Sequence, residues 1–302
     1  MKPTFLEFRL PLVGEISFPA YMTMLLVGFL LMIVLARRAE DRAGRDGVLM
    51  VDLSIWMLIL GVLGARLASV FFDGKFDDFV NLCMNPKLVT AIDAKVTSCT
   101  SDAQCGYDYL CDTARNVCYP PQDCLAALKF WQSGLTYYGG FLLAAPFGLW
   151  FAKRKNMGVL RVGDVTAPYV AWGLFFGRLG CFFNGCCYGE PTTGPLGMRF
   201  PGLAHPRHPT QLYEALAALA IAAFLYYVVR PRKVAHGQVL GALLVLYGIV
   251  RFVLEYWRDD QRGGLWVLST SQIISIPLVA AGAALIGYGY HTARTASTHT
   301  EA

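Results

Sequence analysis

The chain has 302 residues, 55% of them hydrophobic and only 16% charged. That balance excludes an ordinary soluble globular protein of this length and fits a polytopic membrane protein. The net charge of +5 comes without a basic stripe interleaved with aromatics, so no nucleic-acid partner is expected.

Residues 1–18 are mixed in character and read as an interfacial arm. Apolar runs then predict spans at 18–36, 49–72, 138–152, 162–183, 211–229, 237–257 and 272–291. Most approach the ~20 residues needed to cross a hydrocarbon core. The predicted fold class is therefore an all-α membrane protein of about seven transmembrane helices. The first run is followed by Arg37 and Arg38 without a small-residue cleavage site, so no cleavable signal peptide is expected.

Basic residues set the orientation. The loop after the first span holds Arg37, Arg38, Arg42 and Arg45. The loop after the third holds Lys153, Arg154, Lys155 and Arg161, and the loop after the fifth holds Arg230, Arg232 and Lys233. The positive-inside rule places these loops in the cytoplasm, the N-terminus outside and the C-terminus inside. The long loop at 73–136 is then external. It contains Cys83, Cys99, Cys105, Cys111, Cys118 and Cys124, which read as a disulfide framework in an oxidising compartment. Six cysteines allow about 15 connectivities, and the sequence does not choose among them. No Cys-x-x-Cys or nearby histidine offers a zinc pattern in this loop. Three segments follow: 1–72 as arm and first two spans, 73–136 as external cysteine-rich insertion, and 137–302 as the membrane core.

The stretch 177–189 reads Gly-Arg-Leu-Gly-Cys-Phe-Phe-Asn-Gly-Cys-Cys-Tyr-Gly. A guanidinium in or at the edge of a hydrocarbon span is costly and marks a functional site. Counted from the cytoplasmic face at about 1.5 Å per residue, Arg66, Arg178, Arg251 and Glu255 fall roughly 20–27 Å up, in the outer half of the bilayer. Tyr21 and Tyr138 begin inward-going helices at the same level. Three arginines against one glutamate leave this layer positive. Arginine's planar fork matches phosphate oxygens, so a phospholipid head-group pocket facing the outer leaflet is expected.

Simpler readings stand beside this one. Tyr247, Arg251 and Glu255 recur at four-residue spacing on one helix face, where Arg251–Glu255 also fits a structural ion pair. Arg66 also fits snorkelling to the interface. Tyr21 and Tyr138 fit an interfacial aromatic belt. His208 and Gln211 fit a helix start with Thr210 as its cap.

The motif Gly-Arg-Leu-Gly-x-Phe-x-Asn-Gly-x-x-x-Gly at 177–189 resembles the signature of the prolipoprotein diacylglyceryl transferase family. The block His208-Pro209-Thr210-Gln211-Leu212-Tyr213-Glu214 is similar to a family block. So are Tyr247-Gly248 followed by Arg251, Glu255 and Arg258, the stretch Gln272 to Pro277, Asp164 with Ala167-Pro168, Tyr138-Gly139-Gly140, and Tyr21 ahead of Leu26-Val27-Gly28. The resemblance covers nearly all the chain outside the cysteine-rich loop. It implies a multi-pass enzyme of the bacterial inner (cytoplasmic) membrane that moves the diacylglyceryl group of phosphatidylglycerol onto the lipobox cysteine of a prelipoprotein signal peptide, with release of glycerol phosphate. By that analogy Arg178, Arg251, Glu255 and Tyr138 are catalytic. Tyr21, Arg66, Asn184, Gly189, Tyr247, His208 and Gln211 bind substrate. No cofactor and no metal are expected.

The chain also departs from the family pattern, which has histidine where Tyr138 stands, asparagine at Cys181 and glutamate at Cys186. Cys181, Cys186 and Cys187 read as a local disulfide plus one buried thiol or as reactive thiols; a metal site is disfavoured because no clear fourth ligand accompanies them. Two functions from different classes follow: the transferase, or a silent paralogue that binds phospholipid or prelipoprotein as a scaffold.

Overall fold

The computed structural model describes residues 4–10, 14–72, 76–89, 99–102, 105, 109–128, 136–259, 264–265 and 268–300. It is mostly helical. The chain divides into two compact units, one of residues 1–51 with 156–302 and one of residues 52–155.

The first unit begins with an antiparallel hairpin, β1 (Thr4–Leu10) and β2 (Gly14–Pro19). This hairpin stands where the sequence suggested an irregular arm. Helix α1 (Ala20–Arg42) starts directly after Pro19. It stops at a tight turn in which the Asp41 carboxylate accepts from the Gly47 amide at 3.1 Å and that of Asp46 accepts from Val48 at 2.9 Å. These bonds satisfy amides that helix ends leave open. Helix α2 (Val48–Phe72) follows and runs into the second unit.

The remainder of the first unit is α5 (Val159–Asn184), α6 (Thr210–Phe224), a π-helical turn at Leu225–Val229, the short α7 (Arg230–Arg232), α8 (Gln238–Leu254) and α9 (Thr270–Thr300). Helix α5 packs against α1, α6 and α8, and α8 packs along α9. The core where α5, α6 and α8 meet is built from Ala167, Ala171, Ile221, Ala222, Leu225, Val239 and Leu243. Three of these seven are alanine, which lets the helices approach closely, as helices in lipid gain by packing rather than by expelling water. At the α8–α9 contact, a Cβ on Gly241 would meet the Gly282 carbonyl oxygen at 2.7 Å.

One end of this bundle is tied by Asp164, which is 1% exposed. Its Oδ1 accepts from the amides of Val239 (2.9 Å) and Leu240 (3.0 Å). Its Oδ2 accepts from the Gly237 amide (3.0 Å) and from Lys233 Nζ (2.9 Å). A carboxylate at the start of α8 is stabilised by the free amides and dipole there. His236 lies 3.9 Å from the same carboxylate; partial burial, then the Lys233 charge, hold its imidazole below the ordinary histidine range. Nearby, Glu40 pairs with Arg161. A cavity of about 680 Å³ opens at this end, among Arg38, Arg42, Tyr169, Trp172, Tyr226 and Arg230.

The second unit contains most of α2, α3 (Phe76–Met84), the hairpin β3 (Leu110–Asp112) with β4 (Val117–Tyr119), and α4 (Tyr137–Arg154). Gly64 and Gly139 face each other so closely that a Cβ on either would strike the other's carbonyl oxygen. The cysteines lie at disulfide distance as Cys83–Cys124, Cys99–Cys111 and Cys105–Cys118. Cys99, Cys105, Cys111 and Cys118 form a small core with Tyr109.

Helices occupy all seven stretches predicted from the sequence. Among the described residues, five are long and apolar enough to cross a membrane: Ala20–Arg42, Val48–Phe72, Thr210–Arg232, Gln238–Trp257 and Thr270–Thr295. Helix α4 is shorter, at 18 residues, and ends on Lys153 and Arg154. Helix α5 carries Arg161, Asp164 and Arg178 along its 26 residues.

Candidate active site

Helix α5 ends where Gly185 turns left-handed, with φ 72°. The Cys186 amide folds back to the Cys181 carbonyl at 3.1 Å. A helix closed in this way favours glycine, which has no Cβ to clash. Cys187, at φ 62°, continues the turn. The chain then reaches Gly189, whose amide donates to the His208 carbonyl at 2.8 Å, while the Glu190 amide donates to Trp257 at 3.0 Å. A Cβ on Gly189 would run into the Trp257 carbonyl oxygen and lie 2.7 Å from Thr210 Cγ2. Only glycine lets these three segments meet.

The start of α6 holds the cysteine turn from the other side. Gln211 Nε2 donates to the Cys186 carbonyl at 2.5 Å, and Thr210 Oγ1 donates to the Cys187 carbonyl at 3.0 Å. Thr210 therefore secures the turn as well as standing at the head of its helix. His208 Nδ1 lies 3.2 Å from the Tyr213 hydroxyl.

One helical turn further on is Glu214, 2% exposed. Its Oε1 lies 2.8 Å from Arg178 Nη2 and accepts from the Tyr247 hydroxyl at 3.3 Å. Its Oε2 lies 3.6 Å from Arg258 Nη1 and 3.9 Å from Arg251 Nη1. Glu255 faces the same arginines, with its Oε2 3.2 Å from Arg251 Nη1 and 4.0 Å from Arg258 Nε. Arg251 also donates from Nη2 to Ser271 Oγ at 2.9 Å. Helices α5, α6 and α8, with the 3₁₀ turn Glu255–Trp257 and Arg258 after it, thus bring three guanidinium groups onto two carboxylates, leaving a surplus of one positive charge.

Burying such a group is expensive unless every charge is paired and bonded. Here the pairing is not closed. Arg251 Nη1, Glu214 Oε2 and Glu255 Oε2 are buried and make ion-pair contacts without a directed hydrogen bond among the described residues. A positive cluster with one buried donor still undirected suits a phosphate oxygen, the acceptor that arginine matches best. The 680 Å³ cavity lies toward the other end of α5 and takes no part in this cluster.

Beside the cluster are three free thiols, Cys181, Cys186 and Cys187. Their Sγ atoms all lie within 4.8 Å of one another. Tyr21 crosses α5 next to them: a Cβ on Gly180 would sit 3.1 Å from Tyr21 Cα.

A family model described as prolipoprotein diacylglyceryl transferase matches residues 9–288. A phosphatidylglycerol–prolipoprotein diacylglyceryl transferase of Nitrosomonas europaea is 34% identical over 92% of this chain and 88% of its own length. The chain belongs to the prolipoprotein diacylglyceryl transferase family. Relatives with the same description from Clostridium tetani and Nitratidesulfovibrio vulgaris are 29% and 39% identical. They cover 93% and 61% of this chain and 95% and 70% of their own lengths.

Within this family member, Arg178, Arg251, Glu255 and Tyr247 gather in one cluster. Tyr21, Gly189, His208 and Gln211 line or brace its surroundings, and Asn184 is exposed at the end of α5. The cluster's centre, Glu214, and its third guanidinium, Arg258, lie in the family-like blocks of the sequence but were not assigned to the site from it. The other two expected residues belong to the unit of residues 52–155. Arg66 donates from Nη2 to the Ala126 carbonyl at 2.6 Å and from Nε to Ala127 at 2.8 Å, with its guanidinium 5.1 Å from the Phe79 ring. Tyr138, on the first turn of α4, is 53% exposed.

Proposed function

We propose that this chain transfers the diacylglyceryl group of phosphatidylglycerol to the lipobox cysteine of a prelipoprotein, at the external side of the bacterial inner membrane. The observation that carries this reading is the buried cluster of Arg178, Arg251 and Arg258 around Glu214 and Glu255, set in a chain of this family. The arginines bind the lipid phosphate and stabilise the charge that grows on it as glycerol phosphate departs, the electrostatic role that dominates such reactions. Glu214 and Glu255 keep the guanidinium groups aimed. Tyr21, Asn184, Gly189, Tyr247, His208 and Gln211 shape the substrate site.

The topology that serves this reading has about seven spans, α4 and α5 among them, with the N-terminus outside. It sets the cysteine-rich segment 73–136, with its three disulfides, in the oxidising compartment as an external insertion. Purified protein given phosphatidylglycerol and a lipobox peptide releases glycerol phosphate, and Arg178→Ala abolishes the release. Binding of lipid or peptide with no glycerol phosphate formed would instead support a scaffold.

A further inference from the structure

We propose that Cys181, Cys186 and Cys187 form a zinc site with a fourth position kept for the acceptor thiol. The proposal rests on the transferase reading. The three sulfur atoms lie within 4.8 Å of one another, with Cys186 Sγ and Cys187 Sγ 3.5 Å apart. Three sulfurs bound tetrahedrally to zinc at about 2.3 Å would stand roughly 3.8 Å from each other. The trio therefore needs only small side-chain adjustments to close on an ion.

The backbone around it is held from outside. Gly185 ends α5 in the left-handed region and Cys187, a non-glycine, follows at φ 62°. A conformation of that kind persists only where its surroundings enforce it. Here Gln211 and Thr210 bind the carbonyls of Cys186 and Cys187. Groups that fix the orientation of ligand-bearing residues are a regular part of metal sites. Among the described residues the group contains three cysteines and no fourth histidine or carboxylate. The sequence-based expectation of no metal followed from that missing ligand. Three protein ligands with one open position is, however, the pattern of a catalytic zinc rather than a structural one.

The reaction supplies a use for the open position. The acceptor must attack as a thiolate, and the two carboxylates of the neighbouring cluster are occupied with arginines. Coordination to zinc deprotonates a thiol outright. The bound sulfur then forms a bond to the glyceryl carbon that carries the phosphate ester. The carbon–oxygen bond breaks, glycerol phosphate leaves with the electron pair, and the proton released from the thiol balances its charge. Zinc keeps its oxidation state throughout. Three thiolates on zinc carry one net negative charge, which the surplus positive charge of the adjoining arginine cluster offsets.

The test uses the full chain in detergent, treated with a chelator while its loop disulfides stay closed, and cobalt(II) as the spectroscopic probe. One equivalent of cobalt is expected to give a thiolate-to-metal charge-transfer band and to protect three thiols from alkylation, with zinc displacing it. A lipobox peptide should shift the cobalt spectrum, its Cys→Ser analogue should not, and chelation should cause a loss of transfer that zinc restores. Cys187→Ser should lose the band; the titration of the unaltered chain stands whether or not that variant folds. No band at one equivalent, or a disulfide within the trio in active protein, overturns the proposal. A bound metal whose spectrum ignores the peptide while transfer proceeds overturns the acceptor role and leaves the transferase reading intact. A zinc-loaded chain that responds to the peptide yet never releases glycerol phosphate sinks the transferase reading and leaves the metal site standing.

Discussion

Replacing Glu214 by glutamine swaps one oxygen for an amide at almost constant volume, so its effect is nearly pure electrostatics. In the native chain the carboxylate is 2% exposed and faces Arg178 at 2.8 Å, Arg258 at 3.6 Å and Arg251 at 3.9 Å. After the change Glu255 still serves Arg251 and Arg258, while Arg178 loses the only carboxylate it pairs with among the described residues. Removing one partner of a buried ion pair costs about 3–5 kcal/mol. Because the loose contacts to Arg258 and Arg251 keep Glu255, we expect the low end, about 3 kcal/mol. At roughly 2–4 °C per kcal/mol for a chain of this class, the unfolding midpoint falls by about 6–12 °C. Transfer should fall on the order of 100-fold, since a misaimed Arg178 stabilises the leaving phosphate poorly. Thermal unfolding in detergent and a glycerol phosphate assay read the two effects. The double variant Glu214→Gln/Arg178→Gln should recover part of the stability and none of the activity. A midpoint lowered by less than about 2 °C would refute the claim that Glu214 organises the arginines.

Further substitutions test other parts of the account. Gly189→Ala forces a Cβ against the Trp257 carbonyl and Thr210, so folded yield should drop, as read by size-exclusion recovery, while Gly173→Ala, with open space around it and an ordinary backbone, costs less. Asp164→Asn leaves Lys233 without its anion and weakens the start of α8; a loss of about 1–3 kcal/mol in thermal unfolding is expected. Because His236 titrates below its ordinary value when folded, the unfolded chain binds the proton more readily. Stability from this group is complete above about pH 6.5 and shrinks as the pH falls through it. The decline should be small and should flatten in His236→Gln, as measured by midpoints between about pH 7 and 5. A membrane-impermeant alkylating reagent should label Cys83, Cys99, Cys105, Cys111, Cys118 and Cys124 only after reduction.

The helices were legible because long apolar runs have few alternatives. Arg178 and Arg251 stood out because a guanidinium inside such a run is costly. Glu214 did not, since it sits one turn into the fifth run, where it reads as part of an ordinary helix start. Its partners lie 36, 37 and 44 residues away along the chain, and no local pattern links them. Arg258 lies past the predicted end of the sixth span. It returns to the cluster through a 3₁₀ turn at Glu255–Trp257 and a bridge to Gly189. The amino-terminal hairpin did leave a trace, in the alternation of Phe5, Glu7 and Arg9 with Leu6, Phe8 and Leu10, but its length suggested an arm. The cysteine pairing had no such trace. Cys111 and Cys118 stand opposite each other in β3 and β4, yet each bonds elsewhere, to Cys99 and Cys105.

The central claim is that guanidinium groups carried by α5 and α8 grip the lipid phosphate while a thiol displaces it. Mass spectrometry of a lipobox peptide incubated with phosphatidylglycerol and the purified chain tests it most directly. The unaltered chain is expected to yield a peptide heavier by one diacylglyceryl group, thioether-linked at its cysteine, and Arg178→Ala and Arg251→Ala to leave the peptide unmodified. An unmodified peptide from the unaltered chain, or full modification by both arginine variants, would contradict it.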